Sequence, residues 1–567
     1  MAKADVEAIK KAKDGLDVWD DVLRYAHTGF ASIAPDDFPR MRWYGIYQQQ
    51  PNVGHFMLRV KIPGGDLSSA QMRAVAEVAR DYGQDIADIT TRQNFQFHWL
   101  TIETLPLAIA RLEAAGLTTS GACGDITRNI CGCPVAGIDP NEIYDARPII
   151  EEVSRFFLGN KDFSDLPRKY KMSFSGCPIH CNQPEINDVG IQAVKRVNGD
   201  GTEEIGFHVR VGGGLSTQPH LAQTLAMFVR PEQVLPVCRA ITEIFRDEGY
   251  RKRRNHARLK FLVADWGVEK FREEVIARLG WTPDPAVPHS DPVGAVQQDH
   301  LGIHAQKQEG KHWIGTSVIT GRLTTEQMFA AADIADQFCE GNLRTSNQQN
   351  YLFPNIATDQ LGAAQSALRA AGFYWDVSEF HRGAVSCTGN EFCNLAITET
   401  KARLREIVAH LEAQLLWDEP IRIHLNGCPN SCGQHHIGDI GLQGCLARLN
   451  DGTQVEAYDV CLGGRLGADA KFVRPISRKV PADKVKYALE NLLRHFKSTR
   501  SSKSNESNKS NESNESNESN SKETFGQWVD RHTNDDLGEA MGLHLIAQDD
   551  PTWTPPPARS HAPAGAE

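Results

Sequence analysis

Four cysteines in the second half of the chain have the types and spacing to do chemistry: Cys387 and Cys393 in C-T-G-N-E-F-C, then Cys428 and Cys432 in N-G-C-P-N-S-C. Two close pairs a few dozen residues apart can converge on one soft metal centre. The glycine and proline beside them suit tight, ligand-presenting loops. Four thiolates favour an iron–sulfur cubane or zinc. The C-x5-C plus C-x3-C spacing differs from that of zinc ribbons, bacterial ferredoxins and thioredoxin-like redox pairs. A cluster enzyme that leaves one iron open to substrate would use three cysteines, not four.

A second set of candidates is cationic and lies in the first half: Arg92 in T-T-R-Q-N-F-Q-F-H-W, Arg128 in G-D-I-T-R-N-I-C, and Lys169 and Lys171 in L-P-R-K-Y-K. Solvated surface charge is the ordinary reading of arginine and lysine. Their setting argues against it, because the chain repeats itself. S-S-A-Q-M-R-A-V-A-E-V-A-R-D from Ser68 returns as T-T-E-Q-M-F-A-A-A-D-I-A-D-Q from Thr324, so Gln71 pairs with Gln327 at an offset of 256. That offset sets Arg92 opposite Gln348, Cys131 opposite Cys387 and Arg128 opposite Ala384. An offset of 251 aligns S-F-S-G-C-P-I-H-C around Cys177 with H-L-N-G-C-P-N-S-C, and V-R-V-G-G-G-L with V-C-L-G-G-R-L. It sets Lys169 and Lys171 opposite Pro420 and Arg422. The cations therefore stand beside turns equivalent to the cysteine loops, and most of their counterparts are uncharged. In the other direction the first half has Cys131, Gly137, Cys177 and Cys181 at the cysteine positions, one ligand short, with Cys133 nearby. A decayed site of ordinary thiols is the expectation there.

The elements that must hold these groups follow from periodicity. Phe56, Leu58, Val60 and Ile62 alternate as in a strand. A helix follows with Met72, Val75, Ala79 and Tyr82 on one face and Ser68 or Ser69 as its cap. A second strand then places Phe95, Phe97 and Trp99 on one side. The predicted organisation is an N-terminal extension at 1–50, a small α+β module at 51–118, a larger module at 119–290, and the repeats of these at 300–375 and 380–497. The Ser/Asn/Glu tract at 498–523 has no apolar residue to bury and reads as a disordered linker. Residues 524–567 read as a short amphipathic docking piece, F-G-Q-W-V-D-R-H from Phe525, and a proline-rich tail.

Composition narrows the class. The chain has 567 residues, 40% hydrophobic and 23% charged, with a net charge of −11 that disfavours nucleic acid. No apolar run is long enough to span a bilayer, and the charged N-terminus shows no signal sequence, so a cytoplasmic protein is expected. Thirteen cysteines in that setting argue against a disulfide framework. The glycine runs Gly212–Gly214 and Gly463–Gly464 lack the spacing of a dinucleotide fingerprint and read as tight turns near a cofactor. None of the twenty histidines, including His180, His435 and His436, is assigned to a metal.

The cysteine motif and the basic motifs together resemble the sirohaem-dependent sulfite and nitrite reductases, over roughly residues 35–495. The resemblance implies an internally duplicated α+β fold of two ferredoxin-like half-repeats and two larger α/β modules. It implies that Cys387, Cys393, Cys428 and Cys432 bind a [4Fe–4S] cluster, with Cys432 also bridging to the sirohaem iron. Arg92, Arg128, Lys169 and Lys171 would line the distal face of the sirohaem and hold the oxyanion. Gln348 and Asn350 are candidates for the macrocycle edge, with core or turn packing as the alternative. Arg40 and Arg42, in P-R-M-R-W-Y-G-I-Y-Q-Q-Q with Gln48 to Gln50, resemble a family segment near the cofactor.

Within the family, K-x-K after L-P-R and the histidine ending R-Q-x-x-Q-x-H at His98 resemble sulfite reductases, whereas V-A-G-I-D-P from Val135 and R-Q-N resemble nitrite reductases. The expectation is six-electron reduction of sulfite to sulfide, with nitrite to ammonia as the alternative. No flavin or nicotinamide module is legible, so reduced ferredoxin is the expected donor to a monomeric enzyme. A non-catalytic metal scaffold would have no reason to keep the four cations in register with the cysteines.

Overall fold

A computed structural model describes residues 5–287, 298–501, 523–549 and 552–555. Most of the expected linker, at 502–522, and the end of the expected tail lie outside the described residues. The chain forms two compact units. One comprises 1–377 with 391–394 and 466–470; the other comprises 378–390, 395–465 and 471–567.

In the first unit the two small modules are not separate bodies. One five-stranded antiparallel sheet runs Ile46–Gln48, His55–Val60, Phe95–Thr101, Ile86–Ile89 and then Arg322–Thr324, a strand from the other module. Its counterpart runs Gly302–Ala305, Lys311–Thr316, Tyr351–Ala357, Asn342–Thr345 and then Asp66–Ser68, a strand from the first. Leu323 pairs with Ala87, and Leu343 with Leu67. Each module thus covers the other's open sheet edge, which would otherwise carry unpaired N–H and C=O groups. The repeated sequence explains the helices that follow the exchanged strands. Ser68 caps Ser69–Tyr82 and Thr324 caps Thr325–Phe338, each closing a capping box with the glutamine three residues on, Gln71 or Gln327.

The strand alternation holds up to Phe97 and then fails. Phe56 pairs with Leu100, but Leu58 pairs with Phe97, so one extra residue is accommodated and Trp99 takes a positive φ of 69°. Leu100 is buried in place of Trp99, which is half-exposed. The equivalent bulge falls at Asn355 in the repeat.

The larger module of the first unit carries a six-stranded sheet ordered Asp284–Pro285, Gln223–Val229, Glu203–Val211, Val189–Val197, Met172–Ser175, Cys131–Gly132. Its last three strands are parallel. The second unit repeats the pattern with Ala384–Ser386, Ile423–Asn426, Ile440–Arg448, Gln454–Leu462 and Arg474–Pro481. Helix Val234–Glu248 packs on the first sheet and Val485–Thr499 follows the second, at the 251 offset. The fold is the expected duplicated α+β arrangement. Among the described residues no helix is long and apolar enough to cross a membrane.

Candidate active site

The parallel strands decide where the chemistry-bearing loops start. In the second unit Ala384–Ser386 lies parallel to Ile423–Asn426, with Ser386 opposite Leu425. Cys387 follows directly on the first of these strands and Cys428 lies two residues past the second, at the same sheet end. Gly427 N–H donates to Cys387 Sγ at 3.3 Å, and Asn430 Nδ2 to Cys428 Sγ at 3.5 Å. Hydrogen bonds to sulfur of this kind stabilise the thiolates of iron–sulfur sites. The loop is held from behind by Asn426, whose Oδ1 accepts from Gly433 N–H at 2.6 Å. Glycine is required at 433 and 427: a Cβ at 433 would meet Cys387 N at 2.8 Å, and one at 427 would meet Thr398 O at 2.8 Å. Cys428 is buried, Cys387 half-buried and Cys432 exposed. Cys393, half-buried, belongs to the segment 391–394 of the first unit. Among the described residues no three His, Cys, Asp or Glu side chains gather tightly enough for a single metal ion. A cubane holds its thiolates further apart than one ion does.

In the first unit the cations gather at the other end of the equivalent parallel strands, where Cys131–Gly132 and Met172–Ser175 begin. Arg92 donates to Asn187 Oδ1 at 2.8 Å and to the carbonyls of Asn129 and Met172. Burial holds its pKa below the usual arginine value, with the Cys131 sulfur opposing the shift. Arg128 wraps back on its own loop, donating to Gly124 O at 2.6 and 3.0 Å and to Ala122 O at 3.4 Å. Neither guanidinium makes an ion pair among the described residues, and Arg92 Nε is buried without a hydrogen-bond partner. Lys169 and Lys171 are half-buried in the segment leading into strand Met172–Ser175, and Lys171 N–H donates to Asp188 Oδ2 at 2.9 Å. Lys61, which the motifs did not single out, is 3% exposed; burial, and then Arg128, push its ammonium down to about 8.

The other expected residues make the following contacts. Arg40 is tied to Asp37 at 2.7 Å and to Ile9 O at 3.0 Å, a strut of the N-terminal extension. Arg42 lies over the Tyr47 ring, 5.2 Å from its centre. Asn350 accepts from Val318 N–H at 2.9 Å, the turn-packing role, while the Gln348 N–H donates to Ser346 Oγ at 3.2 Å. His98 is fully buried, stacked on Phe392 with ring centres 3.9 Å apart and bonded to Gln49 and Asp88. Both glycine runs are tight turns: Gly212 and Gly463 have φ of 81° and 86°, and a Cβ at Gly213 or Gly464 would strike a carbonyl oxygen at 2.4 or 2.6 Å.

The sheet register corrects part of the repeat alignment. Cys131 pairs with Ser173 and Val385 with His424, and Ser173 and His424 are the residues related by 251. Residue 131 therefore corresponds to 385, and Cys133, not Cys131, takes the place of Cys387. Two residues are deleted between the small and large modules of the second half relative to the first. Arg128 then corresponds to Arg382, a cation paired with Glu379 at 3.7 Å, not to Ala384. Cys133 and Cys177 hydrogen-bond each other, which raises the Cys133 thiol and lowers that of Cys177.

Comparison with known proteins bears directly on these two loop sets. Residues 123–283 and 378–537 match the nitrite and sulphite reductase 4Fe-4S domain, and residues 48–115 and 304–371 match the nitrite/sulfite reductase ferredoxin-like half domain. The chain belongs to the nitrite and sulfite reductase family. It is 37% identical to sulfite reductase [ferredoxin] 2 of Mycolicibacterium paratuberculosis, over 90% of this chain and 92% of that one. It is 38% identical to a ferredoxin–nitrite reductase of Synechococcus elongatus, over 86% and 95%. The solved structure of Mycobacterium tuberculosis NirA superposes with a TM-score of 0.86 at 35% identity, covering 94% of this chain and 97% of that one.

This family's cofactors are a sirohaem and a [4Fe–4S] cluster. The donor sets of this chain fit both. Arg92, Arg128 and Lys61 form a buried cationic group whose charge is not matched by carboxylates, a costly arrangement unless a polyanion completes it. The thiols of Cys387 and Cys428 already receive N–H donors as cluster ligands do.

Proposed function

We propose that this enzyme reduces sulfite to sulfide, taking six electrons from reduced ferredoxin. Cys387, Cys393, Cys428 and Cys432 are the proposed ligands of the cluster, with Cys432 shared with the sirohaem iron; bound there, the cofactors supply electrons one at a time. Arg92, Arg128, Lys169 and Lys171 are the proposed oxyanion residues. The observation that carries the reading is the lysine at 171 beside an arginine pair that makes no ion pair of its own. A sulfite dianion needs more positive charge than a nitrite monoanion, and an ammonium at residue 171 adds it.

The roles differ by chemistry. Arg92 and Arg128, anchored on carbonyls and the Asn187 amide, are oriented donors that cannot give up a proton at working pH. Each oxygen lost from the substrate leaves as water and consumes protons, which Lys169 and Lys171 can donate and regain from solvent. Lys61, buried beside Arg128 with its ammonium pushed down to about 8, adds positive charge next to that guanidinium.

Nitrite is the second reading, favoured by relatives of comparable identity named as nitrite reductases. The discriminating experiment compares kcat/KM for sulfite and nitrite in wild type and Lys171→Asn with a low-potential donor. The expected outcome is a preference for sulfite that falls by about tenfold or more in the variant, the loss of one charge-assisted hydrogen bond. A wild-type preference for nitrite, unaltered by the substitution, would refute the assignment.

A further inference from the structure

The segment Glu391–Asn394, which carries Cys393, is keyed into the first unit by an aromatic side chain. Phe392 is buried, and its ring stacks on that of His98 with centres 3.9 Å apart and planes 15° from parallel. Trp99 meets the same ring edge-on at 5.4 Å, and the Arg322 guanidinium lies 5.3 Å from its centre. Arg322 Nη1 also donates to Glu391 Oε2 at 2.8 Å, and Asn52 Nδ2 to Glu391 O at 3.1 Å.

The His98 ring is itself fixed on both nitrogens. It is fully buried, with Nδ1 3.1 Å from Gln49 Nε2 and Nε2 3.1 Å from Asp88 Oδ2. Gln96 Nε2 lies 3.3 Å from the same His98 Nε2, and Gln96 Oε1 accepts from Arg59 Nη2 at 2.7 Å. Asp88 is held in turn by Arg322, whose Nε donates to Oδ1 at 2.9 Å and Nη2 to Oδ2 at 3.2 Å. Arg322 thus joins the carboxylate beside His98 to the carboxylate beside Phe392, closing a frame around the stacked pair.

The repeat shows that this frame goes with the loop that has the cysteine. The offset of 256 relates Arg322 to Asp66 and Asp88 to Arg344, so the same cross-strand pair recurs with its charges exchanged. Arg344 grips its loop by the backbone, donating to Pro134 O at 3.0 Å and to Ala136 O at 2.7 Å. Because residue 133 corresponds to 387, Ile138 stands where Phe392 does and Asp139 where Cys393 does. Ile138 shares a buried cluster with Trp313 and Leu352, and Pro354 takes the place of His98. The exchange of charge therefore moves the arginine's hold from positions equivalent to 388 and 390 onto 391 and 392, directly before the cysteine.

We propose that Phe392 and His98 are positioning residues for Cys393. The stack and the Arg322 frame fix the backbone of 391–394, so the Cys393 thiolate is held in place for the cluster and is not recruited from a loose loop. His98, whose residue type resembles sulfite reductases, bears on the reaction through a cluster ligand and not through the oxyanion. The proposal rests on the ligand role given above to Cys393.

The test uses holoenzyme of wild type, Phe392→Ala, Phe392→Leu, Phe392→Tyr, His98→Gln and Cys393→Ser. Three quantities are read: iron and acid-labile sulfide per chain, the rate at which a ferrous chelator strips the cluster, and the EPR spectrum of the dithionite-reduced cluster. In Phe392→Ala stripping is about tenfold faster or more, because the buried ring that holds the ligand segment is gone. Its EPR lines broaden, as a ligand on a loosened segment takes more than one position. Phe392→Leu, apolar but unable to stack, changes in the same direction and decides the matter if the alanine variant does not fold. Phe392→Tyr keeps the ring and stays within about threefold of wild type. His98→Gln repeats the faster stripping, while the Kd of sulfite and nitrite for the oxidised protein, from absorption titration, stays within about threefold. A packing role alone would lower the urea midpoint of Phe392→Ala and leave stripping rate and EPR spectrum at wild-type values. That result, or a tyrosine variant as impaired as the alanine one, would overturn the proposal. A His98→Gln variant with weakened anion binding and unchanged stripping would overturn the part given to His98. Cys393→Ser tests the ligand reading by itself: loss of iron and sulfide supports it, and full retention with a wild-type EPR spectrum would refute it and the proposal together.

Discussion

Truncating Trp528 to alanine should release the helix Phe525–Arg531 from the second unit. Trp528 is fully buried, edge-on to Phe496 at 5.4 Å between ring centres and against His532 at 4.6 Å, with its indole N–H on Thr499 Oγ1 at 3.0 Å. A fully buried tryptophan removes about 200 Å² from water. At about 25 cal/mol per Å² that is roughly 5 kcal/mol, in line with the 3–5 kcal/mol loss typical of Trp→Ala in cores. The remaining attachments are Phe525, buried and edge-on to Phe496 at 5.4 Å, Arg531 on Thr499 O at 2.7 Å, Asp530 with Arg465 at 2.7 Å and with Lys471, the carbonyls of Val529 and His532 on Arg474, and Val529 against Gly463. A loss of about 4 kcal/mol corresponds to roughly a thousandfold shift toward the undocked helix. Hydrogen exchange of residues 525–532, followed by mass spectrometry, reads that shift as lost amide protection. Exchange in strand Ile440–Arg448 should stay slow. A change under tenfold at 525–532, or equal loosening of the whole second unit, would refute the view that this helix docks separately through Trp528.

The remaining predictions concern acid stability and metal content. Burial, foremost, holds the His424 imidazole down at about 4, and its Nδ1–H donates to Gln434 O at 3.0 Å. The folded pKa lies below the unfolded value near 6.5, so its stabilising contribution is complete above that pH and is lost as pH falls through 4, about 3 kcal/mol in all. Urea midpoints should therefore fall more steeply between pH 6.5 and 4 in wild type than in His424→Gln, and parallel slopes would contradict this. Cys428→Ser should lose cluster iron and sulfide, whereas Cys133→Ser should keep both. Loss in the second variant would mean that the first-half thiols hold metal.

Much of the architecture was readable before any coordinates, because repetition makes a sequence its own comparison. Gln71 and Gln327 align because each closes a capping box, and the cap expected at Ser68 or Ser69 is Ser68. What escaped notice was what alternation cannot encode. The bulge at Trp99 takes one residue out of phase, and the exchange of strands Asp66–Ser68 and Arg322–Thr324 joins modules that composition presents as separate. The pairing of Cys131 with Cys387 failed for a related reason. Two deleted residues between blocks do not show in a short motif, and only the register of parallel strands reveals them. Asp188 was available all along in D-V-G-I-Q, opposite D-I-G-L-Q at Asp439, but an aspartate at a turn carries no mark of the arginine that grips it.

The C-terminal helix shows how far the duplication extends. Val234–Glu248 and Val485–Thr499 correspond residue for residue, and each is followed by a helix that sets a valine on the first glycine of its turn, Val263 on Gly212 and Val529 on Gly463. Between them the first half uses a short basic stretch, in which Arg254 binds Asp125 at 2.7 Å and Arg251 binds Asp165 at 3.1 Å. The second half has the Ser/Asn/Glu tract there. F-G-Q-W-V-D-R-H therefore belongs to the body of the second unit and is no appendage. Trp528, Phe525 and the Asp530 pairs hold this helix at the place its first-half counterpart reaches by a direct connection.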